Sequence, residues 1–441
     1  MKRETTLSAA NQAKKASYIL PSLSSETRNG ALEIIAQKLL SEKGRIFSAN
    51  TQDVTQAQEN HLEPPLVKRL LFQEEKLQEV VAGLRALIHL PDPLGTVLDA
   101  TELDQGLTLY KVSCPLGVIA MIFESRPDAL VQMAALSLKS GNSVLLKGGT
   151  EARETNKILA SVIQEASREA GIPDGWIQLL ESRQQVTELL ELHQTVDLII
   201  PRGSNAFVQH IMKNTLIPVM GHADGICNMY VDEHADVDLG VQVALDSKTQ
   251  YVAVCNALEN LLVHQSVANE FLPKLHKALN EKNTQIRGCQ RTCAIIPVTP
   301  ARDEDWSTEY LDYILSVKIV DSLDEALDFI NTYGSGHTDS IVTADKNNAQ
   351  TFFTRVDTAS VMWNCSTRFA DGFRYGLGAE VGVSTGKLHA RGPVGLEGLV
   401  TYKWQLLGDG HTVQAYSGTS PERTYTHNKV PGNTYPFLSK T

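Results

Sequence analysis

Cysteine is scarce in this chain: there are six in 441 residues. That density excludes a disulfide framework and fits a reducing compartment in which thiols stay free. Cys289 and Cys293 stand four apart, off the usual zinc spacings, and no histidine pair follows at finger distance, so no metal is expected. Basic charge is also short. With 40 Lys and Arg against 51 Asp and Glu, the net charge is −11, which argues against a nucleic-acid partner, whose phosphates demand a basic surface. A small anionic ligand held by a few local arginines remains compatible with that balance. No apolar run reaches the length of a membrane span, and residues 1–11 lack the apolar core of a signal peptide, so a soluble, cytoplasmic protein is expected. A G-x-G-x-x-G fingerprint and internal repeats are missing as well.

What is present is an ordinary globular composition, 42% hydrophobic and 21% charged, in a chain long enough for two or three domains. Residues 1 to about 90 carry apolar positions at helical spacing, as in 31–40 and in the run that Pro65 opens and Leu87 closes. From Gly95 to Pro115 the pattern turns to Thr, Val and Leu alternation broken at Gly106, which predicts a β-hairpin able to pair with another subunit's sheet edge. An alternating β/α series follows, with strands at 118–123, 144–146, 198–200 and 218–220 and a weaker one at 176–179. Pro127 opens the first intervening helix, Leu130, Met133, Ala134 and Leu138 form its apolar face, and Gly141 ends it. A second series starts near Met229, with helices at 235–248 and 324–333, a helical face of Val267, Phe271, Leu275 and Leu279, and strands at 261–263, 314–320, 341–342 and 361–363. The order of the first series predicts a parallel sheet covered on both faces, and the second reads as a further α/β series. The tail from Gly408 is polar and rich in Gly, Pro, Ser and Thr, and reads as a surface extension with little fold of its own.

Cys255 stands beside Asn256 just ahead of the strand at 261–263. A cysteine is by default a small buried apolar side chain. In this setting, however, the thiol can attack a carbonyl, while the Asn256 amide or a nearby backbone N–H donates to the resulting oxyanion. Two glycine-containing turns lead from strand ends into helices: Lys147-Gly148-Gly149-Thr150 and Arg202-Gly203-Ser204-Asn205. Each can offer N–H groups and a helix dipole to phosphate, and Lys147 adds a cation, although either turn alone is more often a tight connection. Arg126, Arg368 and Arg391 sit among Gly, Ser, Thr and Asn rather than on plainly solvated faces, and the segment 376–386 has too little bulk for a core.

Taken together, these residues resemble the aldehyde dehydrogenase superfamily and, within it, the γ-glutamyl phosphate reductase family. The likeness runs from Leu7 to Leu406 through Pro115-Leu-Gly-Val-Ile-Ala-Met-Ile-Phe-Glu-Ser-Arg-Pro-Asp128, Leu145-Leu-Lys-Gly-Gly149, Ile200-Pro-Arg-Gly-Ser204, Cys255-Asn256, Gly334-Ser-Gly-His-Thr338, Ser366-Thr-Arg-Phe369 and Gly376 to Pro393. The resemblance implies reduction of L-glutamate 5-phosphate to glutamate 5-semialdehyde and phosphate in proline biosynthesis, with NADPH as hydride donor and Cys255 as the thioacyl-forming nucleophile. Asn256 then serves the oxyanion. Lys147 matches the lysine facing the adenosine ribose, Gly148 and Gly149 complete its turn, and Gly203 with Ser204 match the turn near the pyrophosphate. Arg126, Ser366, Thr367 and Arg368 are candidates for the substrate's phosphate or α-carboxylate, not divided between the two.

Oxidising members of the superfamily carry a water-activating glutamate in a Glu-Leu-Gly-Gly segment; residues 219–225 contain none, which disfavours thioester hydrolysis. Two departures from the narrower family are Asn228, where histidine is common, and Val252, where proline often precedes the cysteine by three. The resemblance implies a Rossmann-type cofactor domain at 1–228 with an oligomerisation hairpin at about 97–113, a catalytic domain at 229–364, a return to the cofactor domain with an oligomerisation arm at 365–407, and a polar tail at 408–441. It further implies a homo-oligomer of at least two chains. No kinase segment is present, so a separate glutamate 5-kinase must supply the substrate and is a candidate for functional association. Pattern alone does not separate NADPH from NADH. The rival readings are a hydrolysing aldehyde dehydrogenase of the same fold and a non-catalytic dinucleotide-binding protein; the missing glutamate speaks against the first and the Cys255-Asn256 pair against the second.

Overall fold

The structure, a computed structural model, describes residues 2–221, 224–377 and 380–437; of residues 2–5 and 64–65 only the backbone is described. The chain forms two compact units, one of Met1–Gly203, His210–Val219 and Gly395–Thr441, the other of Ser204–Gln209 and Met220–Val394. Among the described residues no helix is long and apolar enough to cross a membrane.

The first unit opens on helices, among them Lys2–Ile19, Ser25–Ser41, Lys43–Glu59 and Glu74–Ile88. Ser24 starts the second by accepting the Thr27 N–H at 3.2 Å, a bond that satisfies a donor the helix itself cannot use. The expected hairpin follows as β1 (Val97–Asp104) and β2 (Leu107–Pro115), antiparallel and turned at Gly106, whose φ of +74° excludes most side chains. Next come β3 (Val118–Phe123), β4 (Ser143–Lys147), β5 (Ile177–Leu179) and β6 (Leu198–Arg202), a parallel sheet in the order β5-β4-β3-β6. Every residue of β3 and β4 is buried, as central strands of a parallel sheet covered on both faces require. The strand expected at 218–220 is reduced to one parallel bridge between Ile199 and Val219. Pro218 has no N–H to extend the ladder, although its carbonyl accepts from Ile199 at 2.9 Å.

In the second unit β7 (Cys227–Val231), β8 (Leu258–His264), β9 (Gln285–Gly288), β10 (Thr299–Pro300), β11 (Ile314–Val320), β12 (Thr338–Val342) and β13 (Ser360–Trp363) form one parallel sheet. Its order is β10-β9-β11-β8-β7-β12-β13. The helix Gln265–Asn280 buries Phe271, Leu275 and Leu279 against it, as its spacing predicts. The short strands β9 and β10 have no counterpart among the predicted elements, because four or fewer residues of mixed polarity carry no readable period.

Two segments lie elsewhere than expected. Residues 365–394 belong to the second unit rather than rejoining the first. The tail, expected to be a loose extension, is built into the first unit. A strand at Val400–Leu407 pairs with β2, and Asn428–Lys429 pairs with β1, completing a four-stranded antiparallel sheet. Tyr435 packs over Tyr110 with ring centroids 5.0 Å apart and is 7% exposed. Composition hides this because a few well-placed aromatics can anchor an otherwise polar segment.

Candidate active site

Cys255 lies in the turn 251–257, between the helix Val237–Thr249 and β8, at the amino-terminal edge of the seven-stranded sheet. Open α/β sheets usually bind ligands at their carboxyl edge; here the Cys255 sulfur stands at the other. The backbone behind it is crowded. A Cβ built on Gly225 would come 2.3 Å from the Cys255 carbonyl oxygen and 2.6 Å from its Cβ, so only glycine lets the two strands' leading turns meet. The Cys227 thiol donates to the same carbonyl at 3.2 Å. Burial, together with the nearby acids led by Asp339, pushes Cys227 well above the ordinary thiol range and keeps it a donor.

A histidine to which the sequence reading gave no role completes the pair. His337 is fully buried, and its Nε2 lies 3.1 Å from the Cys255 Sγ. Its Nδ1 is held by the Thr338 hydroxyl at 2.9 Å, which fixes the plane of the ring. The turn Gly334-Ser335-Gly336 delivers it. Gly336 has φ +70°, the Ile226 N–H donates to the Ser335 Oγ at 2.9 Å, and the Gly336 carbonyl accepts from Ala359 at 2.9 Å. The motif Gly334-Ser-Gly-His-Thr338 was the available signal, and an imidazole beside a thiol favours the thiolate.

Beneath this pair runs a row of buried polar side chains. Asp339, Asn228, Asn260 and Ser316 are successive partners across β12, β7, β8 and β11. Asn228 donates to Asp339 from its backbone N–H at 2.9 Å and from Nδ2 at 2.7 Å, and accepts from Asn260 at 3.0 Å. Burial pushes Asp339 up to about 6 in spite of those donors. The register between β7 and β8 slips at Cys227/Asn228, leaving Glu259 without a cross-strand partner there. Its carboxylate instead meets Lys248 at 2.7 Å, both fully buried. Burial drives Glu259 up to about 7 and Lys248 down.

The segment 366–370 fastens onto Asn256, the residue after Cys255. Asn256 donates from Nδ2 to the Ala370 carbonyl at 2.9 Å, so one of its two amide hydrogens is engaged, while its buried Oδ1 has no partner among the described residues. The Thr367 hydroxyl donates to the Asn256 carbonyl at 2.8 Å, and Ser366 shares its hydroxyl with Ser247 at 3.2 Å and with the Arg368 N–H at 3.3 Å. The hydroxyls of Ser366 and Thr367 therefore hold the loop. Arg368 is 8% exposed and donates from Nε to the Gln250 Oε1 at 3.0 Å. Of the other cysteines, Cys114, Cys293 and Cys365 are pushed up by burial. Burial would raise Cys289 too, but hydrogen bonds led by that from Thr292 bring it down; it follows β9 at the sheet's opposite edge.

The remaining candidates belong to the first unit, apart from Ser204, which begins the second. In its parallel sheet the strand order reverses between β3 and β6, and ligands bind at the carboxyl ends beside such a switch point. Lys147 ends β4, 5% exposed, and hydrogen-bonds the Gly148 carbonyl. Burial lowers its pKa, and Glu151 opposes that. A Cβ at Gly148 would strike the Asn156 amide at 2.1 Å, and one at Gly149 the Glu151 carboxylate at 1.9 Å. Asn156 Oδ1 is buried and has no partner among the described residues. A tight glycine cradle, a desolvated cation and an orphaned acceptor fit the hydroxyls and phosphates of a dinucleotide. Gly203 follows β6, and the Ser204 carbonyl accepts from Val208 at 3.0 Å to open the next helix. Arg126 stands at the start of the helix Pro127–Lys139, half-exposed, and pairs with Asp128 at 3.2 Å.

Two parallel α/β units, one ending its strands in a glycine cradle and the other holding a cysteine at its amino edge, make up the aldehyde dehydrogenase fold. The aldehyde dehydrogenase family pattern matches residues 1–313 and 280–379. Among curated relatives, a γ-glutamyl phosphate reductase of Acetivibrio thermocellus is 58% identical over 421 residues, 96% of this chain and 97% of that protein. One from Pelotomaculum thermopropionicum is 57% identical, covering 96% of each. The crystal structure of γ-glutamyl phosphate reductase from Thermotoga maritima is similar at a TM-score of 0.91 and 40% identity, over 92% of this chain and 99% of the other. The chain belongs to the γ-glutamyl phosphate reductases, an oxidoreductase group within the aldehyde dehydrogenase family.

Proposed function

We propose that the protein reduces L-glutamate 5-phosphate to L-glutamate 5-semialdehyde and phosphate with NADPH, as the second step of proline biosynthesis from glutamate in the cytoplasm. The observation that carries this is the 3.1 Å approach of His337 Nε2 to the Cys255 sulfur. His337 takes the thiol proton, and the thiolate attacks the acyl carbon of the substrate. The carbon–oxygen bond to phosphate breaks, the proton on Nε2 leaves with the phosphate, and a thioacyl group remains on Cys255. The second amide hydrogen of Asn256 and the Cys255 N–H serve the oxyanion. Lys147, Gly148, Gly149, Gly203 and Ser204 would hold the dinucleotide, whose chemistry would be hydride donation. Cys255 then departs as thiolate, releasing aldehyde, and regains its proton from solvent. The absence of a glutamate from residues 219–225, of which His222 and Ala223 lie outside the described residues, supports an acyl enzyme that survives without hydrolysis.

On this reading the first unit binds cofactor and the second performs the chemistry. The antiparallel sheet joins copies into at least a dimer: its edge strand Val400–Leu407 carries exposed Tyr402, Trp404 and Leu406. The acyl phosphate comes from a separate glutamate 5-kinase. The test is phosphate-dependent NADP⁺ reduction with glutamate semialdehyde. Cys255→Ser should lower its rate at least ~10³-fold, the scale on which a lost nucleophile is felt. Wild-type activity without phosphate would favour the hydrolytic rival, and full activity in the serine variant would end the thioacyl mechanism.

A further inference from the structure

Among the described residues the buried cations Lys139 and Lys147 of the first unit meet only neutral acceptors, and in the second unit Arg368 is the buried cation left without a carboxylate. Arg28 has Asp92 at 2.6 Å and Lys248 has Glu259 at 2.7 Å. Arg368, more than nine-tenths buried, has only the neutral Gln250 amide on its Nε at 3.0 Å, and among the described residues no carboxylate lies within ion-pair distance of its guanidinium. A guanidinium held in place but left without an anion is an open binding site, because its desolvation is uncompensated until one arrives. Burial first, and then the like charge of Arg374, lowers its pKa, as an unpaired buried cation should show. Arg374 is itself tied to the spot, donating to the Arg368 carbonyl at 2.9 Å.

The placement says which anion. Both flanks of Arg368 are fastened to Asn256, the neighbour of the nucleophile: Thr367 through its hydroxyl at 2.8 Å and Ala370 through its carbonyl at 2.9 Å. Gln250, which aims the guanidinium, begins the turn that carries Cys255. In an acyl phosphate of glutamate the phosphoryl group hangs on the carbon that sulfur attacks, whereas the α-carboxylate is at the far end of the chain. We propose that the outer nitrogens of Arg368, oriented by Gln250, cradle the phosphoryl group of the acyl phosphate and hold it as it leaves. Fork-shaped, bidentate recognition of a phosphate is what arginine does and lysine does not. Gln250 is then a positioning residue, and its neutrality matters, since a carboxylate there would occupy the fork in place of phosphate. This inference rests on the acyl-phosphate reading of the site.

The experiment is steady-state kinetics of glutamate semialdehyde oxidation, with phosphate and semialdehyde varied separately, on Arg368→Lys, Arg368→Met and Gln250→Glu, each first checked for a wild-type melting profile. Arg368→Met should raise the phosphate KM by about 10- to 100-fold, the range expected for losing charge-assisted bonds, and leave the semialdehyde KM within about twofold. Arg368→Lys should recover only part of that loss. Gln250→Glu separates the roles: if Arg368 merely holds the loop, a carboxylate at 250 holds it as well or better and the phosphate KM stays put, whereas a phosphate cradle predicts a rise of about tenfold or more. A raised semialdehyde KM with an unchanged phosphate KM would assign the arginine to the α-carboxylate and overturn the proposal. If the wild type itself needs no phosphate, the acyl-phosphate reading has failed; if it needs phosphate and all three variants keep its KM, only the cradle has.

Discussion

The imidazole Nε2 of His337 stands 3.1 Å from the sulfur of Cys255, across 82 residues of sequence. The two meet because β8 and β12 flank β7 in the sheet and all three begin at the same edge.

Replacing His337 with Ala should therefore lower kcat by about 10²- to 10⁴-fold, the usual worth of a positioned acid–base group. The remaining activity should climb with pH towards the unassisted thiol pKa near ~8.5. Alkylation of Cys255 by iodoacetamide at pH 7 should slow in parallel. An unchanged alkylation rate would show that the imidazole does not act on the sulfur.

Gly225→Ala introduces a methyl 2.3 Å from the Cys255 carbonyl oxygen and 2.5 Å from its Cα. The neighbour is backbone and must shift, which moves the proposed nucleophile Cys255. A displacement of ~1 Å costs about 10²-fold in rate, so kcat should fall by that order while binding of NADP⁺, measured by fluorescence, is retained.

Asp339 supplies a pH signature in stability. Its folded pKa of about 6 lies above the unfolded value. The protonated form is thus favoured by folding; the contribution is fully present below the unfolded pKa of ~4 and is lost as pH rises through about 6. Asp339→Asn removes this cost. The variant should gain up to roughly 3 kcal/mol over wild type at pH 7.5, a two-unit shift converted at ~1.4 kcal/mol per unit, and the gain should shrink on acidification to pH 5. Urea unfolding at both pH values measures the difference, and a gap that does not narrow would contradict the burial argument.

Tyr435→Ala should destabilise the first unit by about 3 kcal/mol, as expected for a buried aromatic. The ring rests on Tyr110 at 5.0 Å, and its hydroxyl hydrogen-bonds Gln405, tying the tail to the strand at Val400–Leu407. Truncation before residue 408 should do at least as much. Unchanged thermal unfolding of either would return the tail to the status of an appendage.

Much of this protein is legible in its residue order. Strand β3 is an unbroken apolar run, and the short apolar stretch at 261–263 marks β8, because burial on both faces of a parallel sheet favours such runs. The helix faces from Leu130 to Leu138 and from Phe271 to Leu279 follow from their spacing. Cys255, Asn256 and the Lys147 turn could be singled out because unusual residue types stood at strand ends.

Other features exist only once the chain is folded. No period in the sequence marks His337 as the partner of Cys255 rather than a satisfied core histidine, or separates the loop-holding hydroxyls of Ser366 and Thr367 from the ion-pair-free guanidinium of Arg368 beside them. The register slip that sends Glu259 to Lys248, and the aromatic contact that fixes the tail, are likewise set by packing between distant segments. Residue order settles which stretches leave water, because solvation is a local property of side chains. Which polar groups then meet depends on strand order and register, and those are decided only when the whole sheet closes on its helices.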